Sequence, residues 1–72
     1  MMLIKLSKEI YEYRCIKKAI EDYAEIAEIT IENSATYFIC KFGNCKYGTE
    51  ITKNEFLNYI IDLMNHMGVI YQ

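Results

Sequence analysis

The chain has 72 residues, a net charge of -2 and a hydrophobic content of 53%, somewhat above the roughly 45–50% of an average soluble domain. Three glycines, no proline and 25% charged residues exclude collagen-like, linker-like and disordered chains. We expect a single domain over residues 1–72, and a surplus of apolar residues in so small a domain favours a surface that binds a partner.

Charge and hydropathy narrow the class of partner. Eight basic residues are matched by ten acidic ones, and the densest basic cluster, formed by Arg14, Lys17 and Lys18, has acidic neighbours. Nucleic-acid binders need a basic stripe, which is missing here. Apolar runs are far shorter than the roughly 20 residues that span a bilayer, and residues 1–6 lack the pattern of a signal peptide. We therefore expect a cytoplasmic protein with no nucleic-acid or membrane partner.

A strand followed by a helix is predicted at the beginning of the chain. Residues 2–6 alternate, which favours a strand with Met2, Ile4 and Leu6 on one face. Ser7 follows as a plausible helix N-cap, and Glu9 would lie in the first turn, where the helix dipole favours a carboxylate. The helix start stays open between residues 8 and 11.

The first helix is predicted to continue to about Glu25. Its charged side includes an i, i+4 pair of Lys17 and Glu21. The apolar side has the i, i+3, i+4, i+7 spacing of an amphipathic helix, with Ile16, Ala19, Ile20 and Tyr23.

Two further strands are predicted to form a hairpin. Residues 27–32 alternate strictly between apolar and polar, which is typical of a strand with one solvated face. Asn33 and Ser34 favour a turn. Residues 36–42 are β-branched and aromatic, and apolar on both faces, so this third strand is best placed at the centre of the sheet.

The second helix carries the strongest local signals. After a loop over residues 43–48, Thr52 and Glu55 have the spacing of a capping box, and Ile51 with Phe56 that of a hydrophobic staple. Gly68 would end the helix. One apolar stripe follows, made of Phe56, Ile60, Leu63 and Met67.

The order β-α-β-β-α predicts an α+β fold of two layers. We expect a three-stranded antiparallel sheet, with the third strand central and two helices on one face, as in a truncated ferredoxin-like fold. The tail at residues 69–71 is β-prone and could form a fourth strand, pack on the helices or join a neighbouring chain.

Residues able to support catalysis or metal binding are few. His66 lies near the end of the second helix, where interaction with the helix dipole explains it better than catalysis. Cys15 and Cys40 are expected to be buried thiols. A metal site of Cys40, Cys45 and His66 is the least favoured hypothesis, because the cysteine spacings match no zinc or redox signature. We expect no enzymatic activity, no cofactor and no metal.

Two apolar sets exceed what the core needs. On the second helix, Leu57, Ile61 and Met64 lie roughly 100° from the first stripe, where either the first helix or a partner covers them. On the sheet face away from the helices we expect a second set, Leu3, Tyr37 and Ile39. Its rim is charged or polar, which is typical of a protein-protein patch, and consists of Lys5, Glu28, Thr30, Glu32 and Lys41.

The run Leu6-Ser7-Lys8-Glu9-Ile10-Tyr11, followed by Ile16, Ala19 and Tyr23, resembles the opening of HxsD-like proteins. The alternating strand, the hairpin and Glu55-Phe56-x-Asn58-Tyr59 are similar to the rest of that family, so the resemblance spans about residues 3–65. It implies an accessory protein of radical SAM maturases in His-Xaa-Ser-type or related systems that modify ribosomally made peptides, with no catalytic residue to carry over.

The sequence thus predicts a non-enzymatic accessory or adaptor protein that binds a peptide precursor or its maturase. The alternative is a small self-associating structural domain, a homodimer with no ligand. An extended peptide could also add to an outer strand, because such a strand has unpaired backbone groups.

Overall fold

The computed structural model describes residues 2–66. The elements are strand β1 (Met2–Ser7), helix α1 (Tyr13–Asp22), strand β2 (Glu28–Asn33), strand β3 (Tyr37–Gly43) and helix α2 (Thr49–His66). The sheet order is β1-β3-β2, and β3 pairs antiparallel with both neighbours. The predicted α+β fold with a central third strand is confirmed. Predictions for Met67, for Gly68 and for residues 69–71 fall outside the described residues.

Strand register separates the sheet into two faces. Ile4 and Ile31 both pair with Cys40, whereas Lys5 and Glu32 both pair with Ile39. Because side chains alternate along a strand, these two rows point to opposite faces. The first row lies on the helix-covered face and the second on the other.

The core fills the space between the sheet and the helices. Phe42 and Phe56 meet edge to face with 5.3 Å between ring centroids, and Tyr23 meets Phe56 at 5.6 Å in the same geometry. Helix α1 buries Cys15, Ile16 and Ala19. Full burial of each large apolar side chain contributes about 1.5–3 kcal/mol, so these aromatic contacts are a main source of stability in a domain of this size.

Helix α1 begins later than predicted. Ser7 is the last residue of β1, and its carbonyl accepts hydrogen bonds from the backbone N–H groups of Ile10 and Tyr11. The Ser7 hydroxyl accepts one from the N–H of Glu9 at 3.2 Å. The predicted N-cap is wrong, because this serine stabilises a turn between strand and helix. Glu12 occupies the N-cap position without a side-chain hydrogen bond.

The end of α1 also differs from the prediction. The helix ends at Asp22 and not near Glu25, and a turn leads from there to β2. The i, i+4 ion pair joins Lys18 to Asp22 at 3.2 Å, in place of the predicted pair of Lys17 and Glu21. The pattern thus predicted the charged side of the helix correctly, but not which side chains meet.

Helix α2 begins at Thr49, three residues before the predicted cap. Gly48 precedes it with a φ of 98°, a conformation that favours glycine. Thr52 is buried within the helix, and its hydroxyl donates to the Gly48 carbonyl at 2.7 Å. Ile51 is 58% exposed and makes no staple. The capping box and staple are therefore wrong, because a threonine inside a helix can bond the carbonyl four residues earlier.

Candidate protein-binding surface

The apolar set predicted on α2 belongs mainly to the core. Met64 is 1% exposed and Leu57 is half-buried against the core, whereas Ile61 is 38% exposed. Helices α1 and α2 pack against each other. Met64 is therefore unavailable to a partner in this fold, and Ile61 alone does not make a surface.

The apolar set predicted on the sheet is accessible. Leu3 is 46% exposed and Tyr37 is 42% exposed, while Ile39 between them is half-buried. The register places Lys41 between Leu3 and Thr30, and Ile39 between Lys5 and Glu32. We call this surface the open face; its members are Leu3, Lys5, Glu28, Thr30, Glu32, Tyr37, Ile39 and Lys41.

The charges of the open face are divided between its two sides. On β1, the Lys5 ammonium lies 5.9 Å from the centroid of the Tyr37 ring. On β2, the charged members are Glu28 and Glu32. Lys41 of β3 donates to the Glu32 carboxylate at 2.9 Å, so its side chain leans toward β2. The β1 side is therefore basic and the β2 side carries the acidic groups.

The outer edge of β1 is a second accessible feature. The N–H of Lys8 bonds the Thr36 carbonyl at 3.0 Å, in continuation of the β1–β3 ladder. Since bonded and non-bonded pairs alternate in an antiparallel ladder, even-numbered residues of β1 bond to β3 and odd-numbered ones point outward. The outward carbonyl of Ser7 is used by the turn. Within the described part of the chain, Leu3 and Lys5 thus present their backbone groups to the free edge.

Potentially reactive side chains form no common cluster in the described part of the chain. The Nδ1–H of His66 donates to the Asp62 carbonyl at 2.8 Å, so this ring is held by its own helix. Cys15 and Cys40 are buried as predicted, and burial raises the pKa of the Cys40 thiol to about 11. Cys45 is half-buried. Among residues 2–66, no group of three His, Cys, Asp or Glu side chains could hold a metal ion, so the hypothetical site of Cys40, Cys45 and His66 does not form there.

A polar contact between the helices was missed by sequence reasoning. The Tyr59 hydroxyl donates to the Asp22 carboxylate. This hydrogen bond lowers the pKa of Asp22 and raises that of Tyr59. The Tyr23 ring lies 5.6 Å from that of Tyr59. The partners are 37 residues apart in sequence, so no local spacing signals the contact, and it serves to fix α1 against α2.

Comparison with protein-family models, curated proteins and solved structures gave no match. The resemblance to HxsD-like proteins therefore stays a prediction. No helix in the described range 2–66 is long and apolar enough to cross a membrane. The open face and the β1 edge are the features on which a functional proposal has to rest.

Proposed function

We propose that this chain is a non-enzymatic adaptor that binds an extended segment of a peptide precursor along the β1 edge. The observation that carries the proposal is this edge, where Leu3 and Lys5 direct backbone groups outward beside an exposed apolar side chain. An added strand satisfies such groups and takes its specificity from neighbouring side chains. The resemblance to HxsD-like proteins gives the class of partner: a precursor in a ribosomal-peptide modification system, or its radical SAM maturase.

The side chains around the β1 edge indicate which kind of peptide segment would bind there. On the open face, alternate residues of an added strand lie beside Leu3 and Lys5, so an apolar residue and an acidic residue are favoured there. On the opposite face the neighbour is Ile4, which is half-buried at the margin of the core and would be covered further. The expected ligand is therefore an extended segment with apolar residues opposite Leu3 and Ile4 and an acidic residue opposite Lys5.

An adaptor role is supported by the state of the reactive groups. His66 is bonded to its own helix, and both Cys15 and Cys40 lie in the core, with a raised thiol pKa. A catalytic thiol is activated by a lowered pKa and needs access to its substrate. We therefore propose that chemistry is supplied by the maturase and binding by this chain.

The genes beside this one provide the first test and the probes. We expect a radical SAM gene and a short precursor gene, and the absence of both would overturn the assignment. Isotope-labelled protein is then titrated with the encoded peptide and, separately, with the maturase. Amide shift changes concentrated on β1 are expected. The proposal is contradicted if neither the peptide nor the maturase binds.

Proline substitution at the edge tests the binding mode. Leu3→Pro removes an outward N–H without touching the ladder to β3, so the strand should persist while peptide affinity falls at least 10-fold. The matched control is Asn33→Pro on β2. The N–H of Ser34 bonds the Tyr37 carbonyl at 2.9 Å. Because bonded and non-bonded residues alternate along the strand, the backbone groups of Asn33 point away from β3, as those of Leu3 do. Full affinity is expected for this control, provided that circular dichroism shows both variants folded; equal losses in the two would refute binding at β1.

A further inference from the structure

We infer that the open face binds a second copy of this chain, face to face, about a two-fold axis parallel to β3. The inference goes beyond the proposed function, which uses the β1 edge and not the face of the sheet. A face-to-face pair leaves the β1 edge available to a peptide, so the two proposals can fail independently.

The distribution of charge across the sheet identifies the second copy. In the central row, Lys5 lies on one side of Ile39 and Glu32 on the other. A two-fold axis along β3 places β1 of one copy over β2 of the next. Lys5 then faces Glu32 of the partner subunit, and Glu32 faces Lys5 of the partner subunit. One row therefore forms two opposite-charge contacts around an apolar centre, as an isologous interface requires.

The other rows are compatible with the same axis. Ile39 and Tyr37 lie on the central strand and meet their own counterparts near the axis. Lys41 also belongs to this strand, but its bond to Glu32 draws the ammonium toward β2 and away from the axis. Leu3 faces Thr30 of the partner subunit. Packed sheets lie about 10 Å apart, a distance that lysine and glutamate side chains from the two copies bridge together.

The charge pattern also excludes the other simple arrangement. A two-fold axis across the strands would place β1 over β1, with Lys5 near its own counterpart. It would likewise place β2 over β2, where Glu28 and Glu32 meet the same acidic strand. Like charges opposed at an interface are destabilising. The axis along β3 is therefore favoured, because each Lys5 then meets the β2 side of the other copy, where the two carboxylates of Glu28 and Glu32 outnumber the single ammonium of Lys41.

Charge reversal tests this interface with the protein alone. By sedimentation velocity at low salt, we expect the unmodified chain to be dimeric, with dissociation in the micromolar range because few apolar side chains take part. Lys5→Glu and Glu32→Lys should each be monomeric, since each opposes like charges. An equimolar mixture of the two should form a heterodimer, because its two contacts again join lysine to glutamate.

A matched control reverses a charge away from the sheet. Lys17→Glu changes an exposed residue of α1 by the same charge as Lys5→Glu and should stay dimeric. A monomeric unmodified chain, reversal variants that remain dimeric, or a mixture that stays monomeric would each overturn the inference. The peptide titration has a separate readout, so loss of the dimer without loss of peptide binding removes only this inference.

Discussion

The two faces of β3 consist of alternating neighbours in sequence, yet they differ completely in environment. Phe38, Cys40 and Phe42 lie in the core, while Tyr37 and Ile39 belong to the open face. Both sets are apolar in sequence. The helices cover only one of the two sets. Apolar residues on both faces place β3 at the centre of the sheet, but the position of the helices decides which of these residues stabilise the fold and which remain available for binding.

The largest expected difference between the two faces is in stability. Phe42→Ala should lower the free energy of unfolding by about 3–5 kcal/mol, since it empties a packed site against Phe56. Tyr37→Ala should lower the free energy of unfolding by less than about 1 kcal/mol, because this ring is already solvent-exposed. Urea unfolding measures both, at protein concentrations low enough for the chain to be monomeric. Equal losses would show that the open face is covered, and the comparison would fail.

Alkaline pH should destabilise the covered face through Cys40. Burial raises the pKa of this thiol from 9.0 to about 11, so the unfolded chain releases its proton first. The stabilising contribution is fully present below pH 9 and is lost as the pH rises to about 11. Across this pH range, the melting temperature should fall less steeply with rising pH in Cys40→Ala than in the unmodified chain. Identical slopes would mean that Cys40 is accessible to solvent.

The smallest expected effect is on the open face. Glu32→Gln removes the ion pair with Lys41, in which the Glu32 side chain is 57% exposed and the Lys41 side chain is 34% exposed. The free energy of unfolding should therefore change by less than about 1 kcal/mol, and by less still in high salt. The measurement is urea unfolding of the monomer at low and high salt. A cost of several kcal/mol would indicate a desolvated pair, and hence a face that is not open.

The strands were predictable because their signals are local. Alternation over residues 27–32 gave both the existence of β2 and its buried side, and Ile29 is in the core. The central position of β3 followed from its two apolar faces. Helix ends were predicted poorly: Ser7 and Thr52 were both assigned as caps, and both use their hydroxyl groups in other local hydrogen bonds. Several backbone conformations offer such a side chain a partner, so residue type and spacing do not distinguish them.

The candidate surface was predicted only in part. The open face follows from register, because Leu3, Tyr37 and Ile39 share the parity that points away from the core. Helix α2 has apolar residues on more than one side, and periodicity does not reveal which side meets α1. The burial of Met64 became evident only once the helices were packed.

By itself, the sequence determined the order of the elements, the central place of β3 and the parity of each strand, since these depend on residues close together along the chain. Tertiary structure decided where the helices begin, which apolar side chains of α2 are buried and which residues of β1 direct backbone groups outward. It also decided contacts such as that of Tyr59 with Asp22. These features depend on groups that are distant in sequence and meet only when the sheet and the helices pack together. Local sequence patterns therefore do not predict them.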